Sequence, residues 1–177
     1  MNLKSLTIIA LALTIVALIT SLVAVQAQTK GTKAPTLTPL DYVEIQQLIS
    51  RYPHALDTCA DKGNEYAKLF TADGVFSWNG NKAEGRESLV AIAGGPNCPP
   101  GKKRLNIRHI TVNTVIEPSP EGATGKSYLL QVSLGEGGGK LIAGGKYDDV
   151  YVKTPEGWRF KSRTYDSEHY IPYYVEH

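Results

Sequence analysis

The sequence predicts an α+β domain, with helices first and an antiparallel meander after them. Three observations predict it. Ile45, Leu48, Ile49, Tyr52 and Leu56 recur at the three-to-four spacing of an amphipathic helix. From Arg104 onward the apolar pattern changes to period two over three long stretches. Clusters of glycine, proline and serine then separate those stretches at positions suited to hairpin turns.

Taken in order, the chain opens with Lys4 and an apolar run from Leu6 to Val25, ending in Val25-Gln26-Ala27. That pattern predicts a signal peptide over residues 1–27, cleaved after Ala27, and a periplasmic or secreted protein. The competing reading of the run is an uncleaved signal anchor, the one route to a stable membrane partner. Residues 28–37, rich in Thr, Lys, Gly and Pro without periodicity, read as a linker. The domain proper is predicted over residues 38–166, with a tail over 167–177.

Thr38 followed by Pro39 gives an N-cap with proline at the first helical position, and Asp41 lies in the first turn, where the helix dipole favours negative charge. Pro53 removes one backbone hydrogen bond, so a kink or a loosened last turn is expected before Asp57. A shorter helix is expected over Asn64 to Phe70. Thr71-Ala72-Asp73-Gly74 should end it before an apolar stretch, Val75 to Trp78, and another short helix should cover Arg86 to Ala93. The strand candidates are Leu105–Ile116, Ala123–Leu134, Leu141–Lys153 and Trp158–Tyr165. Their sheet is expected to be antiparallel and strongly twisted, with the helices on one face.

With 177 residues, 42% hydrophobic and 20% charged, the chain can bury one ordinary core and not comfortably two. The net charge of +2 falls by one if Lys4, the single charged residue before Gln28, is removed. Nucleic-acid binding would call for a basic stripe, and the one cluster, Lys102, Lys103, Arg104 and Arg108, reads equally as a solvated loop edge. Cys59 and Cys98 lack the spacing of a structural zinc site, and no metal is expected. In an oxidising compartment they could form one disulfide from the end of the first helix to the proline-rich loop, although spacing alone does not decide it. The Gly135–Lys140 segment is no phosphate loop: a strand follows its lysine, where a Ser or Thr opening a helix is required.

Chemistry is concentrated in a polar row inside an apolar strand. Successive strand side chains alternate, so His109, Thr111 and Asn113 should share one face while Arg108, Ile110, Val112 and Thr114 take the other. A buried imidazole needs a partner, and Asp57, at the end of the first helix, is a carboxylate that would orient it as a base. Plainer readings stand beside this one. Asp57 could cap the turn that follows, Tyr52 could be core, and Asn113 and Gln131 could serve neighbouring backbone.

The runs Ile45-Gln46-Gln47-Leu48-Ile49-Ser50-Arg51-Tyr52, Leu56-Asp57 and Leu69-Phe70-Thr71-Ala72-Asp73-Gly74-Val75-Phe76 resemble the SnoaL-like branch of the nuclear-transport-factor superfamily. Arg108-His109 and Gly157-Trp158-Arg159-Phe160 extend the resemblance. It implies a cone-shaped curved antiparallel sheet wrapped around N-terminal helices, with an internal cavity. The superfamily includes scytalone dehydratase, a bile-acid dehydratase, a dehydrochlorinase and polyketide cyclases. By position, the resemblance makes Asp57 and His109 an acid and histidine pair and Tyr52 the donor that polarises an oxygen. Asn113, Gln131 and Trp78 are the candidate substrate contacts. On one straight helix Tyr52 and Asp57 lie roughly 140° apart, so lining one cavity with both demands a curve or a bend.

Two functions follow as expectations. One is a lyase or isomerase without cofactor or metal, acting on a small apolar cyclic or aromatic molecule. The other is a non-catalytic module of the same fold that binds a small ligand. The resemblance also implies a homodimer.

Overall fold

The computed structural model describes residues 36–95, 98, 106–135 and 138–167. The expected signal segment, most of the linker, the cluster Lys102 to Arg104 and the tail beyond Ser167 lie outside these residues.

Helix α1 spans Pro39–Thr58 and begins as its sequence dictates. Thr38 Oγ1 accepts from the Asp41 backbone N–H, and the Asp41 carboxylate accepts from the Thr38 N–H at 2.9 Å, a reciprocal capping box. Asp41 also accepts from Lys153 at 2.7 Å and from the Trp158 indole at 3.0 Å, which fastens the helix start to the sheet. Pro53 lies inside the helix, which continues unbroken to Thr58. The helix closes on Cys59 in the left-handed region, φ 55°. A short 3-10 segment, Ala60–Gly63, leads into α2, Asn64–Ala67, which is shorter than expected.

Strands β1 (Phe70–Trp78) and β2 (Asn81–Glu84) form a hairpin, and helix α3 covers Gly85–Gly94. Then come β3 (Ile107–Ser119), β4 (Gly122–Ser133), β5 (Lys140–Thr154) and β6 (Gly157–Ser167), each within a few residues of its expected place. The six strands make one curved, unclosed sheet in the order β2-β1-β6-β5-β4-β3. This is the cone-shaped α+β architecture expected.

Two expectations change, and one strand was not foreseen. The sheet is not wholly antiparallel, because β1 runs parallel to β6. That pairing needs a long crossover between its two strands, and β2, α3 and the strands β3 to β5 supply it. Thr71 to Gly74 is no terminating turn: it lies within β1, where the register against β6 jumps between Phe70 and Val75. The strand β2 had no legible signal in Asn81-Lys82-Ala83-Glu84, which is too short and polar to show a period.

The core lies between α1 and the concave side of the sheet. Ile45, Leu48, Ile49, Tyr52, Ala55 and Leu56 pack from the helix against Leu129, Tyr147, Tyr151, Trp158 and Phe160. Cys59 and Cys98 form a disulfide, with Cα atoms 5.8 Å apart, which ties the end of α1 to the segment after α3.

Candidate functional site

The strand β3 is an edge of the sheet, so the backbone N–H groups on its outer side have no strand to bond. Asp57, at the end of α1, fills one of those positions. Its Oδ2 accepts from the His109 backbone N–H at 3.0 Å, and its Oδ1 lies 2.5 Å from His109 Nδ1. The carboxylate is 4% exposed and the imidazole 11%. One side chain therefore closes the strand edge and holds the ring. With Nδ1 engaged, Nε2 is the nitrogen left free for other partners. The angular conflict between Tyr52 and Asp57 disappears in this arrangement, because only Tyr52 has to face the cavity while Asp57 reaches sideways to β3.

The cavity beside His109 has a volume of about 310 Å³. Tyr52, Trp78, His109 and Gln131, four of the sequence candidates, line it together with Tyr147 and Tyr165. His109 and Gln131 are directly paired across β3 and β4. Since the His109 N–H points outward to Asp57, this is the pair type without mutual hydrogen bonds, whose Cα atoms stand only about 4.5 Å apart. Trp78 stacks on Phe76, with ring centroids 5.3 Å apart and planes inclined by 14°. That gives the cavity one flat aromatic wall, and among the described residues no lysine or arginine lines it.

Asn113 does not join them. The register between β3 and β4 slips between Val112 and Val115, a bulge in which Asn113 takes φ 53°. Asparagine tolerates that left-handed conformation better than most residues. The bulge breaks the alternation that would have carried Asn113 inward, and its side chain is exposed. Thr111, the middle of the row, keeps a buried hydroxyl without a hydrogen-bond partner among the described residues.

Tyr52 is 1% exposed and sits at the centre of an aromatic cluster, with its hydroxyl 3.3 Å from that of Tyr66. Burial pushes the Tyr52 and Tyr147 phenols well above their ordinary range, so both remain protonated donors throughout the physiological pH range. Against the rings of Tyr52, Tyr147 and Phe160 lies Arg163, whose guanidinium carbon is 4.2, 4.1 and 4.3 Å from the three centroids. Arg163 is fully buried and donates to both oxygens of Asp149, at 2.8 and 2.7 Å. Tyr151 donates to the same carboxylate at 2.6 Å. Burial disfavours the Arg163 charge, but the Asp149 carboxylate outweighs it and holds the guanidinium above its usual value.

Sequence reasoning missed this second pair. Tyr147, Asp149 and Tyr151 do carry the signal used for His109, an acid alternating with inward residues on β5. Arg163 carries none, because the register between β5 and β6 shifts between Val150 and Tyr151. That shift puts Phe160 and Arg163, three residues apart, on one face.

A wider groove of about 700 Å³ runs between α1, α2 and the start of β6, with Gln47, Arg51, His54, Lys68 and Arg159 among its lining residues. Its charges are mixed and among the described residues it holds no buried titratable pair, so the smaller cavity is the candidate site. Among the described residues no cluster of His, Cys, Asp or Glu could hold a metal ion, and no helix is long and apolar enough to cross a membrane.

Residues 38–164 match the SnoaL-like domain, and the chain belongs to that family. Rv3472 of Mycobacterium tuberculosis, described as of unknown function, is 26% identical with a TM-score of 0.64, over 76% of this chain and 78% of that one. An NTF2-like protein with a cystatin-like fold from Novosphingobium aromaticivorans is 20% identical with a TM-score of 0.63, covering 75% of this chain and 84% of its own. A protein from Catenulispora acidiphila in complex with S-DNPA is 28% identical with a TM-score of 0.60, over 73% of this chain and 96% of that one. No curated protein matches the sequence.

Proposed function

We propose that this protein is an exported catalyst of proton transfer, a lyase or isomerase needing no cofactor, acting on a small ring-shaped molecule in the cavity. The observation that carries the reading is the Asp57 and His109 pair set in the wall of an aromatic cavity. His109 Nε2 takes a proton from a carbon next to a carbonyl while Asp57 holds the ring by its other nitrogen. The Tyr52 phenol donates a hydrogen bond to the carbonyl oxygen as that oxygen gains charge. The electron pair left on carbon then expels a leaving group, giving an alkene, or is reprotonated elsewhere, shifting the double bond. A cavity of about 310 Å³ whose described lining is aromatic and aliphatic apart from His109 and Gln131 suits an uncharged or weakly polar ring system.

Export is supported by the disulfide, which belongs to an oxidising compartment. A homodimer is supported by the outer sheet face, where Ile110 and Leu130, neighbours across β3 and β4, are exposed together with Tyr128.

The test is hydrogen–deuterium exchange at the α-carbons of 2-tetralone, followed by NMR in D₂O. The wild type should exchange these protons faster than buffer, and His109→Ala should fall back to the buffer rate. Binding of 2-tetralone with exchange at the buffer rate would make the protein a ligand-binding module, and an unimpaired His109→Ala would remove the imidazole from the chemistry.

A further inference from the structure

We infer that Arg163 is a positioning residue of this site: its guanidinium, stacked on the Tyr52 and Tyr147 rings, fixes both phenols and strengthens them as donors to an oxygen that gains negative charge. The inference rests on the reading of the cavity as a proton-transfer site.

Nothing in the packing alone demands an ion pair here. A buried pair exchanged for apolar side chains of similar volume is often no less stable, so filling the core does not account for an arginine. The fold makes specific room for it. The irregular register of β6 turns Arg163 inward, directly across from Asp149. A side chain at Gly125 would meet the Tyr151 ring at 2.7 Å, so that glycine lets Tyr151 reach the Asp149 carboxylate. Asp149 then occupies the edge of the guanidinium and leaves its faces to the rings. Arg163 Nη1 has no hydrogen-bond partner among the described residues, and its guanidinium carbon lies over aromatic faces.

Two of the three rings touched by the guanidinium line the cavity. A cation on the face of a phenol draws electron density from the ring, so a hydroxyl on that ring donates more strongly. Among the described residues the titratable groups around Arg163 are Tyr52 on α1, Tyr147, Asp149 and Tyr151 on β5, and no other carboxylate is paired with it. Arg163 does not line the cavity, so its effect passes through the two phenols.

The test uses 4-nitrophenol, whose absorption separates phenol from phenolate, and its methyl ether 4-nitroanisole, which cannot ionise. Bound to the wild type, 4-nitrophenol should show a larger phenolate fraction than in water at the same pH. The double variant Arg163→Met/Asp149→Asn removes both charges together and leaves Tyr151 an acceptor. It should lower the bound phenolate-to-phenol ratio about ten-fold while 4-nitroanisole affinity stays within about three-fold. Arg163→Lys, which keeps the charge but not the planar stack, should lose about three-fold of the ratio, and it decides the matter if the double variant does not fold. A wild-type ratio in the folded variants, or equal losses for both probes, would make Arg163 a packing element only. Should the wild type itself fail to enrich phenolate, the proton-transfer reading fails, and the role of Arg163 with it.

Discussion

His109 faces two demands at once. Its strand lies at the edge of the sheet and needs its outward N–H capped, and its ring lines a cavity and needs a fixed orientation. Asp57 meets both with two oxygens. The polar row made His109 legible as an oddity, and the need of a buried imidazole for a partner pointed to Asp57. Asn113 misled because period-two reasoning assumes an unbroken strand, and the bulge after Val112 is invisible in residue types. Arg163 stayed hidden for the same reason, behind the register shift between β5 and β6. If Tyr52 donates to the charged oxygen, Tyr52→Phe should slow 2-tetralone exchange by roughly 10²-fold with little change in affinity, while His109→Ala should cost about 10²–10⁴-fold. Equal exchange rates in Tyr52→Phe and wild type would remove the phenol from the reaction.

At the scale of elements, α1 is the part most fully written in the sequence: its cap, its first-turn acid and its buried stripe all fall where propensity puts them. Sequence could not show that the cap also anchors the sheet. Lys153 first, then Thr38 and Trp158, hold the Asp41 carboxyl well below the usual carboxylate range. A carboxyl depressed in the folded state contributes stability above its unfolded value, near pH 4, and that contribution is lost as pH falls further. Wild type should therefore lose stability on acidification below about pH 4 more steeply than Asp41→Asn, as read by chemical denaturation at each pH. Parallel slopes would show that the anchor is not electrostatic. The disulfide was open from sequence because pairing depends on a distance. Its reduction, or Cys59→Ser with Cys98→Ser, should cost about 2–4 kcal/mol in denaturant titrations.

For the whole molecule, the order helices-then-meander made the α+β class readable, and the antiparallel pairs β3 to β6 followed from short turn signals. The parallel pairing of β1 with β6 joins segments some 85–90 residues apart in sequence, which no local pattern encodes. The same topology leaves an apolar outer face on β3 and β4. If that face joins two copies, Ile110→Lys combined with Leu130→Lys should convert a dimer to a folded monomer in sedimentation equilibrium. A wild type already monomeric at high concentration would refute the association.

The central claim is an imidazole held through Nδ1 by Asp57 with Nε2 turned to the cavity, and long-range ¹H–¹⁵N NMR of the His109 ring tests it most directly. The account predicts the neutral tautomer protonated at Nδ1, loss of that preference in Asp57→Asn, and a shift of the Nε2 resonance when 2-tetralone is added. A ring protonated at Nε2, or an Nε2 resonance indifferent to saturating 2-tetralone, would contradict it.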